Sequence, residues 1–215
     1  MPIRKIPKNY RNVTGIKAAA KGVGPSGFES TLERDFLALL EFSPEVAHFE
    51  VQPLRIEWRD EDGNPRSYTP DVLVEFKPEV GRRPWLCEVK YRSDLQKYWA
   101  DLKPKLRRGL RFAKQKHWRF RIVTEVEIRT SYLTNVRFLS TFRFRDIPEA
   151  SSQKLLQQLA VLQEATPNGL MTVVTDGGGS PVEWLPVLWH LIAHHRIGAD
   201  LEGDLTMDMP IWSVS

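Results

Sequence analysis

Asp71, Glu88 and Lys90 carry the clearest chemical signal in this sequence. Asp71 follows Pro70 and opens the apolar run Val72-Leu73-Val74; Glu88 stands seventeen positions later, with Val89 and Lys90 directly after it. Residues two apart on a strand emerge on one face, so Glu88 and Lys90 point together. A hairpin can bring Asp71 beside them. Two carboxylates and the Val89 carbonyl make a hard, all-oxygen site suited to Mg²⁺ or Mn²⁺. Lys90, next to such a site, can orient or help deprotonate an attacking water and offset charge developing on a phosphorane. Glu33 offers a third carboxylate, to hold a second ion or to position water; two ions about 3.5–4 Å apart would stabilise both the attacking and leaving oxygens. Each residue also has an ordinary reading. Glu33 has capping-box spacing from Ser30, Asp71 suits a strand-entry turn, and Glu88 with Lys90 suits a surface ion pair. The combination is what points to a metal-dependent nuclease.

The elements that must position these groups are legible in outline. Leu32, Phe36, Leu39 and Leu40 make an apolar stripe over Phe28 to Phe42, so Glu33 belongs to a helix. Val46 to Trp58 alternates loosely and reads as one or two strands around Pro53; the turn-rich Asp60 to Pro65 returns the chain through Tyr68 to Phe76. Trp85 to Lys90 is a short strand, with Cys87 on its opposite, core face. Asp94 to Lys116 is a long helical or two-helix segment kinked or restarted at Pro104. Its polar face carries Lys103, Lys105, Arg107, Arg108 and Arg111, a candidate surface for the phosphate backbone. Trp118 to Thr124 is a further strand and Glu125 to Phe142 a further helix. The expectation is an α/β fold: a mixed sheet flanked by helices over residues 28–147, after a flexible basic arm over 1–27. A boundary at Ile147-Pro148 then leads into a small C-terminal winged-helix-like α+β domain over 148–215. There, two helices (Glu149 to Ala165 and Pro181 to Arg196) flank a Thr166-Pro167-Asn168-Gly169 turn, and a hairpin closes the chain around Gly203.

Composition narrows the function classes. Of the 215 residues, 41% are hydrophobic and 27% charged, which excludes wholesale disorder. No run of about 18 apolar residues exists, so no membrane helix is expected. The single cysteine excludes an internal disulfide framework and a thiolate zinc site, and fits an intracellular setting. Net charge is +4, but residues 151–215 hold two basic against seven acidic residues, and residues 1–150 hold 29 basic against 20 acidic. A basic first part and an acidic last part suggest different partners. His190, His194 and His195 lack the glutamate of a zinc-protease helix and read as packing or surface residues. Asp176-Gly177-Gly178-Gly179 lacks the Lys-Ser/Thr of a phosphate loop.

On these residues the chain resembles the TnsA family, the endonuclease subunit of heteromeric cut-and-paste transposases, whose N-terminal part has a restriction-endonuclease-like PD-(D/E)xK fold. The matching stretches are ESTLERDFLALLEF, VQPLRIEW, YTPDVLVEF, WLCEVKYRSDL and FRIVTEVEIR, spanning about residues 28–130. The resemblance implies cleavage at the 5′ ends of the transposon, while a DDE-type, TnsB-like transposase cuts and joins the 3′ ends. By motif position it implies Glu33, Asp71, Glu88 and Lys90 as the catalytic set, with one or two Mg²⁺ (or Mn²⁺) ions held by Glu33, Asp71, Glu88 and the Val89 carbonyl. Some members have Gln where Glu88 stands. It further implies transposon-end DNA and a TnsC-like AAA+ regulatory ATPase as partners, and a bacterial cytoplasmic, nucleoid-associated setting. Two other readings of the same residues stand beside it: a stand-alone nuclease in DNA repair or defence, and a catalytically inert DNA-binding adaptor.

Overall fold

The computed structural model describes residues 15–16, 20–23, 27–176 and 179–214. The chain divides into two units, Met1–Ile128 and Arg129–Ser215. In the first unit, short ladders β1 (Gly15–Ile16), β2 (Gly22–Val23) and β3 (Gly27–Phe28) precede helix α1 (Thr31–Phe42). Strands β4 (Val46–Val51), β5 (Ile56–Arg59), β6 (Pro65–Tyr68), β7 (Val72–Phe76) and β8 (Trp85–Val89) follow. Helices α2 (Arg92–Lys97) and α3 (Trp99–Gln115), strand β9 (Arg119–Val123) and the short helix α4 (Glu125–Ile128) complete it. The main sheet runs β2-β4-β7-β8-β9 among the described residues. Its centre is antiparallel, β7 pairing with β4 and β8, while β2 on β4 and β9 on β8 are parallel, so the sheet is mixed.

The central strands β7 and β8 are buried on both faces, as their largely apolar runs require. Leu73 and Leu86 pair across β7 and β8 and meet Ala113 of α3. Val72, Val74, Cys87 and Val89 alternate onto the opposite face and are fully buried, with α1 packed on β4 and β8. Ser30 caps α1, its hydroxyl accepting the Glu33 N–H, and Ser43 ends it. Gln52, with φ of 50°, turns the chain out of β4, so β5 and β6 form a separate two-stranded ribbon (Ile56 opposite Tyr68) instead of extending the sheet. The helical segment after β8 breaks at Tyr98 (φ −112°, ψ 21°), six residues before Pro104, which sits inside α3. The expected basic arm over 1–27 lies mostly outside the described residues. Its residues 22–23 form an edge strand, with the Glu41 carboxylate accepting the Ala20 and Lys21 N–H groups. Two residues are too short to show a period.

The second unit contains α5 (Ser131–Arg143), α6 (Glu149–Leu162), β10 (Glu164–Ala165), α7 (Pro167–Thr175), α8 (Pro181–Ala193), β11 (Ile197–Ala199) and β12 (Ile211–Ser213). The three strands form an antiparallel sheet in the order β10-β12-β11. The terminal strands pair as expected, but the pairing ends at Ala199 opposite Ile211, so the connection is residues 200–210 and not a tight turn at Gly203. The turn expected at Thr166 to Gly169 is instead the start of α7: the Thr166 hydroxyl accepts the Gly169 N–H and Pro167 is preorganised for the first turn. The division at Ile128/Arg129 falls ahead of the expected Ile147-Pro148 boundary because α5 packs on α8. Phe138 meets Trp189 edge-on at 5.4 Å, and His190 and His194 bond the carbonyls of Phe142 and Arg143. Pro148 is the cap of α6, not a linker. No helix of the described residues is long and apolar enough to cross a membrane.

Candidate active site

Asp71 is fixed through its backbone at the entry to β7. Its N–H donates to the Cys87 carbonyl (3.0 Å) and its carbonyl accepts the Gln52 N–H (2.8 Å). The antiparallel register, Val72 opposite Cys87, sets its side chain beside the end of β8. There Asp71 Oδ2 accepts the Val89 N–H at 2.7 Å.

Glu88 is only 1% exposed, yet it is not left unsatisfied. The Tyr68 hydroxyl donates to Glu88 Oε2 at 2.6 Å. Glu88 Oε1 lies 3.4 Å from Lys90 Nζ and 3.5 Å from Lys105 Nζ. Lys90 Nζ also donates to the Val89 carbonyl (3.1 Å) and lies 3.7 Å from Asp71 Oδ2. Three oxygens, from Asp71, Glu88 and the Val89 carbonyl, therefore surround one ammonium. They are three of the four oxygen donors expected as ligands from the sequence, gathered around Lys90 Nζ.

Glu33 reaches the same neighbourhood from the start of α1. Its carboxylate accepts the Glu29 N–H (2.9 Å) and the Ser30 hydroxyl (3.0 Å). The capping reading is thus realised, with Glu29 supplying the N–H that a capping box takes from Ser30. Glu33 is also close enough for its charge to act on Asp71 and Lys90.

The electrostatics follow from this crowding. Burial, then the charge of Glu88, pushes the Asp71 carboxyl well above its usual range, against the pull of Lys90. Burial raises Glu33 as well, opposed by its two hydrogen bonds. Burial disfavours the Lys90 ammonium, but Asp71, Glu88 and Glu33 together outweigh it and hold Lys90 above its usual value. Burial and Glu88 raise Tyr68, which stays a neutral donor. Cys87, on the core face, is pushed up by burial to about 12 and is inert.

The donor set fits a hard divalent cation: two carboxylates and a carbonyl, with surplus buried negative charge that has drawn in an ammonium. Among the described residues no three His, Cys, Asp or Glu side chains stand together as a ready metal cluster. The set found here is two side chains and a main-chain oxygen, with Glu33 engaged at the helix cap.

Tyr68 and Lys105 are site residues that the motif did not flag. Lys105 was expected among the phosphate contacts; the structure turns it onto Glu88 and over the Tyr68 ring (5.6 Å). One signal existed: Lys105 and Gly109 share a helix face at i, i+4 spacing, and a glycine there lets α3 approach the sheet. Lys103, Arg107, Arg108 and Arg111 do line a cleft between α3 and the β5–β6 ribbon, together with Asp60, Glu61 and Asp62 of its turn. Arg108 lies over Trp58 at 5.7 Å. His190 and His194 engage helix-end carbonyls, in line with a packing role.

Residues 43–125 match the family model described as TnsA-like endonuclease N terminal, and residues 127–201 match TnsA endonuclease C terminal. Asp71, Glu88 and Lys90 fall inside the first match; Glu33 precedes it. No curated protein matches the chain.

Proposed function

This chain belongs to the TnsA family of endonucleases, and from that premise we propose that it is the subunit of a heteromeric transposase that hydrolyses the strand at each 5′ end of the element. The reaction leaves 5′-phosphate and 3′-hydroxyl ends. Asp71, Glu88 and the Val89 carbonyl would hold Mg²⁺ or Mn²⁺. Such an ion supplies a Lewis acid for the phosphoryl oxygen and lowers the pKa of a bound water.

The chain's own groups do the rest. Lys90, held above its usual value by the carboxylates around it, would orient the nucleophile and offset charge building on the phosphorane. Tyr68 and Lys105 hold one oxygen each of Glu88, fixing the direction of that carboxylate. Glu33 adds a carboxylate at the edge of the site that can position water. Lys103, Arg107, Arg108 and Arg111 take the phosphate backbone. The acidic C-terminal unit suits protein contacts, with a DDE-type transposase and an AAA+ ATPase as the family's expected partners.

The observation that carries this reading is the convergence of Asp71, Glu88 and the Val89 carbonyl on the Lys90 ammonium, every distance 3.7 Å or less. In a reaction reconstituted with the transposase partner, Asp71→Ala and Lys90→Ala should abolish 5′-strand nicking while partner binding survives. Full cleavage by either variant would refute the assignment.

A further inference from the structure

A second cationic cleft lies at the other end of the sheet. It has a volume of about 770 Å³ and wraps the edge strand β9. Arg82, Arg83, Lys114, Arg119 and Arg121 line it, and no acidic residue does. Arg82 is paired with Glu45 at 2.6 Å. Arg83, Lys114, Arg119 and Arg121 have no acidic partner within 4 Å among the described residues. Like charges gathered in one concavity without counter-charges raise the local concentration of anions.

The cleft is also aromatic. Trp85, Trp118 and Phe120 contribute to its walls. Arg121 lies over the Trp85 ring at 4.3 Å, and Trp118 meets Phe112 edge-on at 6.1 Å. A cationic groove with ring surfaces is the arrangement that holds unpaired nucleic acid: cations follow the phosphates and bases stack on rings. An acidic peptide would use the cations but not the rings. A duplex hides its base faces.

The cleft is separate from the catalytic carboxylates. Trp85 precedes Glu88 by three residues on β8, roughly 10 Å at the strand rise. Lys105 at the active site and Lys114 at the cleft are nine residues apart on α3, roughly 13 Å. We propose that this cleft is a second nucleic-acid site, which binds an unpaired DNA strand independently of the catalytic centre. It does not rest on the catalytic reading.

The test is fluorescence anisotropy on the full chain with a labelled oligodeoxythymidylate of roughly 12 nucleotides. A blunt duplex of equal length and a poly-glutamate peptide serve as competing probes. The wild type should bind the single strand more tightly than poly-glutamate, while the duplex, whose backbone the α3 cleft takes, should bind the wild type and Arg83→Glu/Arg119→Glu alike. Arg83→Glu/Arg119→Glu should weaken that binding at least about ten-fold and lower the salt slope by about 1.4, the loss of two phosphate contacts. The neutral pair Arg83→Gln/Arg119→Gln should fall in between, and melting curves of both pairs should match the wild type. Asp71→Ala should bind the oligonucleotide as the wild type does. Unchanged single-strand binding by both double variants, an equal loss of duplex binding in them, tighter binding of poly-glutamate than of the single strand, or loss of binding in a folded Asp71→Ala chain would each overturn the proposal.

Discussion

Lys90 occupies the point on which three oxygens converge, and its neighbours set what each group can do. Burial and Glu88 hold the Asp71 carboxyl above its usual range, so the folded chain keeps that proton to a higher pH than the unfolded chain, which releases it near about 3.9. Stability is then fullest below that value and declines as pH rises from it to the folded value. Asp71→Asn has no proton to lose. In EDTA at neutral pH it should melt higher than the wild type and show a flatter dependence above pH 4, while nicking is lost. A lower melting temperature would mean that attraction to Lys90 outweighs burial. Tyr68→Phe tests the other carboxylate. It strips the 2.6 Å donor from a buried oxygen of Glu88, which costs about 1–3 kcal/mol in urea unfolding and also slows nicking. An unfolding free energy equal to that of the wild type would show that Tyr68 does not hold Glu88.

At the scale of elements, the site depends on how closely α3 approaches the sheet. A Cβ on Gly109 would stand 2.6 Å from Phe120 Cε2 and 2.8 Å from Tyr68 Cε1. Gly109→Ala must therefore displace α3 or both rings, at a cost of about 1–3 kcal/mol in thermal or urea unfolding, and should slow nicking because Tyr68 and Lys105 both move. Unchanged stability and rate would mean that the rings yield freely. The elements bearing the motif were legible because their patterns are local: the stripe of α1, the P-D entry to β7 and the apolar run of β8. Other features depend on non-local partners. Lys105 reads as one more base on a basic helix until Glu88 is placed beside it. Thr166-Pro167-Asn168-Gly169 carries turn residues, yet Thr and Pro also begin helices, and the apolar face of α7 (Leu170, Met171 and Val174 buried) decides the matter. The break at Arg129-Thr130 contains neither Gly nor Pro, so nothing local announced the division between the two units.

Across the whole molecule, charge divides along the chain. The first 150 residues are basic and carry the carboxylate site, the α3 cleft and the β9 cleft; the last 65 are acidic. A subunit built this way should nick DNA slowly when alone with Mg²⁺ and faster when its transposase partner presents the ends; efficient cutting by the isolated chain would favour a stand-alone nuclease. The account as a whole rests on a divalent cation binding where Asp71, Glu88 and the Val89 carbonyl meet. Manganese binding to the full chain, read as loss of the free Mn²⁺ electron paramagnetic resonance signal, tests this most directly. The wild type should take up Mn²⁺ in competition with Mg²⁺, and Asp71→Asn and Glu88→Gln, both confirmed folded by their melts, should not. Equal uptake by the wild type and both variants would contradict it.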